Sequence, residues 1–131
     1  MGQPAAKRGD RVVAVDTHVV MVPGTPPAPT PLPHPFSGVL SDGLSPDVKI
    51  GGLPAATVGS VANNAPPHVP TTPGTAFQRP PANKGTVRQG SATVMINGKP
   101  AARAGDQVLT CNDPVDMPAG TVVASGSVRI G

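Results

Sequence analysis

The sequence predicts an all-β fold, with short Val-rich strands and hairpins closed into a ring of three similar modules. Three observations carry this reading. Val dominates the large apolar residues, with 18 Val against 5 Leu, 3 Ile and 2 Phe, and β-branched side chains suit strands. Pro and Gly contribute 19 and 16 of the 131 residues, which implies many turns and excludes a helical bundle. A Val-x-Ile…Pro-Ala-Ala pattern also recurs along the chain. So much Pro and Gly equally fits a linker-like, disordered chain. Disorder, however, couples few apolar residues to strong net charge, and here the net charge is +3 with 13% charged residues.

The repeat justifies the elements in turn. Val48-Lys49-Ile50-Gly51-Gly52-Leu53-Pro54-Ala55-Ala56-Thr57-Val58-Gly59 aligns without gaps with Val94-Met95-Ile96-Asn97-Gly98-Lys99-Pro100-Ala101-Ala102-Arg103-Ala104-Gly105. Val and Ile two apart share one face of a strand. Gly51-Gly52 and Asn97-Gly98 tolerate positive φ and suit two-residue hairpin turns. Pro confines the returning segment to an edge or strand start, and the two Ala permit close approach. A third copy is split across the termini: Val128-Arg129-Ile130-Gly131 supplies the strand, and Gly2-Gln3-Pro4-Ala5-Ala6-Lys7 supplies the return. The C-terminal strand is therefore expected beside the N-terminal segment, closing a pseudo-threefold ring in one chain.

A single domain over residues 1–131 follows. Its modules fall at about 1–22 with 120–131, 47–68 and 86–111, separated by Pro-rich insertions at about 22–46 and 66–85. The stretches Val22 to Pro35 and Pro66 to Pro81 read as extended or polyproline-like surface connections, with Phe36 and Phe77 anchoring them to the β body. Strands are expected near Arg11–Val15, Thr17–Val22, Asp47–Ile50, Thr57–Val61, Thr86–Gln89, Ala92–Ile96, Gln107–Thr110, Gly120–Ala124 and Ser127–Ile130.

Bulk properties narrow the function classes. One Cys excludes an intramolecular disulfide. No apolar run approaches the roughly 20 residues of a membrane-spanning helix. The N-terminal residues carry no apolar signal segment, so a cytoplasmic location is expected. Ten Lys and Arg are spread along a chain with 2% aromatics, which leaves neither a basic patch nor stacking platforms for nucleic acid.

Few large side chains are available for a core, so a metal staple would be a natural supplement. His18, His34, His68 and Cys111 are all the His and Cys of the sequence, and His₃Cys can fill a tetrahedral Zn²⁺ site. The repeat supports the grouping. His18 and His68 each lie 14 residues after the Pro of their module, and Cys111 lies 11 after Pro100. Pseudo-threefold symmetry would bring these positions together near the axis, with His34 of Pro33-His34-Pro35 as the fourth ligand. Asp16, Asp106 and Asp113 are candidates to orient the imidazoles from outside the ligand set. Such a site is structural rather than catalytic, because protein fills all four positions and no open one remains for water. The sequence contains no Glu, no nucleophile motif and no phosphate-binding loop. No enzymatic activity is expected; a small zinc-dependent hydrolase is the rival reading.

Asn97-Gly98-Lys99-Pro100-Ala101-Ala102-Arg103-Ala104-Gly105-Asp106 resembles the signature of the PAAR family. The copies Pro4-Ala5-Ala6-Lys7 and Pro54-Ala55-Ala56-Thr57 match it with Lys or Thr in place of Arg. The resemblance implies a small cone of β-structure that caps the trimeric, VgrG-type β-helical spike of a contractile injection machine, such as a type VI secretion system or a related phage-tail-like particle. It implies one chain per spike trimer, bound through the broad base. It also implies a structural Zn²⁺ near the point, with His18, His68 and Cys111 matching the ligand pattern and His34 completing the set; the sequence does not separate zinc from iron. The tip would assemble in the cytoplasm, leave with the spike and touch a target membrane transiently. The chain ends within the third copy, so no fused toxin domain is expected. An adaptor role, docking an effector on the spike, stays open beside the structural one.

Overall fold

Each Val-x-Ile segment folds back on a Pro-Ala-Ala segment, as the repeat demands. The computed structural model describes residues 2–131. Its strands are β1 (Gln3–Pro4), β2 (Arg11–Val22), β3 (Ala28–Asp42), β4 (Lys49–Ile50), β5 (Leu53–Pro54), β6 (Val61–Asn64) and β7 (Ala76–Phe77), then β8 (Lys84–Val87), β9 (Met95–Ile96), β10 (Lys99–Pro100), β11 (Gln107–Thr110), β12 (Met117–Val123) and β13 (Arg129–Ile130). The described residues contain no helix, and the all-β expectation holds.

The hairpins β4–β5 and β9–β10 turn through Gly51-Gly52 and Asn97-Gly98, all four at positive φ (58°, 84°, 52° and 76°), as a tight turn with right-handed strand twist requires. The third hairpin joins the termini: β1 pairs with β13, Gln3 opposite Ile130 and Pro4 opposite Arg129. Beyond the hairpins the three modules are linked cyclically. Ala6 N–H donates to Ala102 O, Ala102 N–H to Ala56 O and Ala56 N–H to Ala6 O, each at 3.0 Å. Isolated bridges repeat the cycle, Ala5 to Arg103, Lys7 to Ala55 and Thr57 to Ala101. Ala5, Ala55 and Ala101 pack with Ile50, Ile96 and Ile130 in a small core of their own. Side chains as small as a methyl group let three segments of the chain pack this closely.

Above this ring six antiparallel strands close into a barrel in the order β2, β3, β6, β8, β11, β12 and back to β2. Closure runs through Thr121 opposite Val13, Val122 opposite Val12 and Val123 opposite Arg11. Val12, Ala62 and Val108, each eight residues after the Pro of its module, fill the interior with Leu40, Val87, Val122 and Phe36. A Cβ at Gly38 would stand 2.6 Å from the Phe36 ring, so the strand passes this ring as glycine.

Beyond the barrel β2 and β3 continue as a two-stranded ribbon for nine more pairs, Ala14 opposite Phe36 to Val22 opposite Ala28, roughly 30 Å at the usual strand rise. Here the expectation fails. The Pro-rich stretch from Val22 to Pro35 is not a surface connection; most of it belongs to β3, the longest strand of the fold. The reason is the period of two in Pro27, Pro29, Pro31, Pro33 and Pro35. Alternate residues of a strand point their N–H to opposite edges. Every Pro of β3 turns its imide nitrogen away from β2, and the intervening Thr30, Leu32, His34 and Phe36 keep the ladder's donors. Arg11 to Val22 is likewise one strand rather than two, and Phe36 is a barrel core residue rather than a loop anchor. The second Pro-rich stretch, Pro66 to Pro81, is irregular apart from β7, which adds to the ribbon through Phe77 opposite Val20.

Candidate metal centre

The ribbon leaves the barrel with its even-numbered β2 residues facing inward, so Asp16 and His18 are buried, 0% and 1% exposed. His34 lies directly across from Asp16 on β3 and is equally buried. Cys111 follows β11, and the two residues after it stitch its chain to the free edge of β2. Thr17 N–H donates to Asn112 Oδ1 at 2.6 Å and Val19 N–H to Asp113 Oδ2 at 2.8 Å, while Asp113 N–H donates to Thr17 O at 2.8 Å. That stitching sets Cys111 Sγ 3.7 Å from His18 Nε2 and 3.5 Å from Asp16 Oδ2. His68 enters from the segment after β6, its N–H held by Asn83 Oδ1 at 2.8 Å, and its Nε2 lies 2.9 Å from Asp16 Oδ2.

Donor atoms of Asp16, His18, His68 and Cys111 all lie within 4.8 Å of one another. Three of the four sequence-predicted ligands thus converge. His34 stands beside them, its ring centroid 5.4 Å from that of His18 and 5.6 Å from that of His68, but both its nitrogens are engaged by backbone. Nδ1 is 2.9 Å from Leu32 O, and Nε2 accepts the Thr71 N–H at 3.1 Å. Asp16, assigned by the sequence to an outer orienting role, instead sits among the donor atoms. Its other oxygen accepts the Thr110 hydroxyl at 2.6 Å. Asp113 is close to His18, its Oδ2 3.5 Å from Nδ1. Asp106 lies elsewhere, in the ring of modules, where it pairs with Arg103 at 3.1 Å. The equal 14-residue offset of His18 and His68 is not structural equivalence either: one lies within a strand and the other in irregular chain past the end of β6.

The electrostatics favour the neutral forms of His18 and Cys111. Burial, with His68 and His34 alongside, holds His18 below its ordinary value against the pull of Asp113 and Asp16. Burial, reinforced by the Asp16 charge, pushes the Cys111 thiol up to about 11. Burial alone would raise the Asp113 carboxyl, but the Val19 N–H and Arg79, together with the His18 and Arg79 charges, outweigh it and hold the carboxyl below the usual range. His18 Nδ1 is the one buried side-chain nitrogen or oxygen among the described residues without a hydrogen-bond partner. Two imidazoles, a thiol and a carboxylate within reach suit a borderline-soft cation such as Zn²⁺. Arg79, Asn83, Thr110 and Asn112 complete the site without any sequence signal of their own, save that Asn112 adjoins Cys111.

Comparison with known proteins bears on the C-terminal part of the chain. Residues 78–131 match the family model described as PAAR motif, a span that holds the third module and the C-terminal strand of the split one. This C-terminal part of the chain therefore carries a PAAR motif. Among curated proteins no sequence matches it significantly.

Proposed function

We propose that this protein is the non-enzymatic, zinc-stabilised tip of a contractile injection system, capping a trimeric VgrG-type spike with one chain per trimer and sharpening it for passage through a membrane. The observation that carries the reading is the cyclic hydrogen bonding of Ala6, Ala102 and Ala56. It gives a monomer three similar sectors, and a closed threefold partner can meet all three at once. On the hairpins of this ring Val48, Val94 and Val128 are 36%, 36% and 43% exposed, with Leu53 and Met95 beside them, an apolar set suited to seating on another protein. At the other end of the barrel His18, His68 and Cys111 would hold the Zn²⁺. His34 completes the set proposed from the sequence, and Asp16 is the alternative fourth donor by proximity. The ion would supply rigidity by stabilising the folded state. Assembly on the spike would take place in the cytoplasm before delivery.

Co-expression with a cognate spike protein, followed by mass and metal quantification, tests this. One chain and one zinc per trimer are expected; three chains per trimer overturn the cap. Asp16→Asn and His34→Gln separate the two candidates for the fourth ligand, since only loss of a true ligand abolishes stoichiometric metal.

A further inference from the structure

His18 Nδ1 is buried and unpartnered, with Asp113 Oδ2 3.5 Å away. The rest of the Asp113 carboxylate is fixed. Oδ2 accepts the Val19 N–H at 2.8 Å, and Oδ1 accepts Arg79 Nη2 at 2.6 Å and Nε at 3.2 Å. Arg79 Nη2 also donates to Asn112 O at 3.0 Å, so one guanidinium ties down both residues that follow Cys111. The Asp113 side chain is 7% exposed and that of Arg79 57%. A cavity of about 370 Å³ lies over this corner, lined by His18 and Cys111 as well as by Arg79, Asn112 and Asp113.

We infer that Asp113 is the positioning residue for His18 as a metal ligand and that Arg79 is the outer latch on Asp113. The inference rests on the metal reading above. When Nε2 gives its lone pair to a cation, the ring proton must sit on Nδ1, and the carboxylate nearest that nitrogen is Asp113. A carboxylate so placed fixes the tautomer and the ring orientation and raises the basicity of the ligand. Because Arg79 and Asp113 also line the cavity that reaches His18 and Cys111, loosening the latch eases the route by which the ion leaves.

The full chain loaded with Co²⁺ reports this through its thiolate charge-transfer and d–d bands, with chelator competition giving affinity and release rate. Asp113→Asn keeps an oxygen for the Val19 N–H and is expected to weaken binding about 10- to 100-fold and to shift the d–d bands. Arg79→Gln is expected to speed release with a smaller loss of affinity, and Asp116→Asn, a nearby cavity-lining control, to change neither. Wild-type affinity and spectrum in Asp113→Asn overturn the assignment. If that variant does not fold, an unchanged release rate in Arg79→Gln overturns it instead. A wild-type chain that takes up no Co²⁺ removes the metal reading itself, an outcome distinct from failure of Asp113 alone.

Discussion

The backbone N–H of Thr57 donates to Ser60 Oγ at 2.9 Å, where the other two modules use a carboxylate. Lys7 N–H is held by Asp10 at 3.0 Å and Arg103 N–H by Asp106 at 2.9 Å, and in both the side-chain cation pairs with the same acid. The middle module has neither the cation nor the anion, and a side-chain hydroxyl accepts its backbone N–H instead. Its Ser60 hydroxyl then donates to Gly43 O at 2.8 Å, which a carboxylate cannot do.

That difference makes the modules non-interchangeable. Ser60→Asp is expected to destabilise, since it buries an unpaired charge against the Gly43 carbonyl, and Thr57→Arg with Ser60→Asp to recover only part of the loss. Asp106→Ala should cost about 1–3 kcal/mol, the usual penalty for an orphaned buried donor. Chemical denaturation of the singles and the double gives the coupling directly; additive effects would show that residues 57 and 60 act independently.

The alanine ring should tolerate no added bulk. Ala6, Ala56 and Ala102 are each 0% exposed and bonded in a cycle, so Ala56→Val is expected to cost about 1–3 kcal/mol by overpacking. The exposed Ala76 changed to Val is the control. Equal melting temperatures for the two variants would mean the ring has slack.

Proline phase is the third handle. Leu32→Pro moves an imide nitrogen onto the edge that β2 needs, opposite His18, and is expected to cost about 1–3 kcal/mol for the lost pairing. Pro33→Ala leaves that edge intact and should cost less than about 1 kcal/mol, through the freer unfolded chain alone. Thermal unfolding of the pair reads the difference, and the reverse order would mean the register is shifted by one.

Those prolines also mark the limit of what local sequence specifies. Val48-x-Ile50, Val94-x-Ile96 and Val128-x-Ile130 announce the hairpins because both strand and turn are local, and the split third copy predicts the β1–β13 pairing. Proline read as a breaker hid β3, since its compatibility with a strand depends on which edge faces a neighbour. At the site, His18, His68 and Cys111 stood out by residue type, and no rarer donor competes with them. Asp16 and Asp106 cannot be told apart in sequence; one is drawn into the cluster by two-residue spacing from His18 on a strand face, and the other remains in the ring. The splice of Asn112 and Asp113 onto β2 spans 94 or more positions and has no local signature.

Metal uptake should release a proton. With the Cys111 thiol pushed up to about 11 by burial and the Asp16 charge, the metal-free protein carries a neutral thiol near pH 7, whereas a cation takes the thiolate. His18, lowered first by burial, is already neutral there and adds no proton. Affinity is therefore expected to rise about tenfold per pH unit from about pH 7 to about 9. The metal-free fold has the opposite slope. Its folded thiol lies above the reference value of 9.0, so the unfolded chain ionises first. The stability this group contributes is complete below that value and is lost as pH rises toward 11. Calorimetric titration with Zn²⁺ in buffers of different ionisation enthalpy reads the proton, and denaturation between about pH 8 and 11 reads the stability. An affinity flat across the first range would place the ion away from Cys111, and Cys111→Ser should abolish both slopes together.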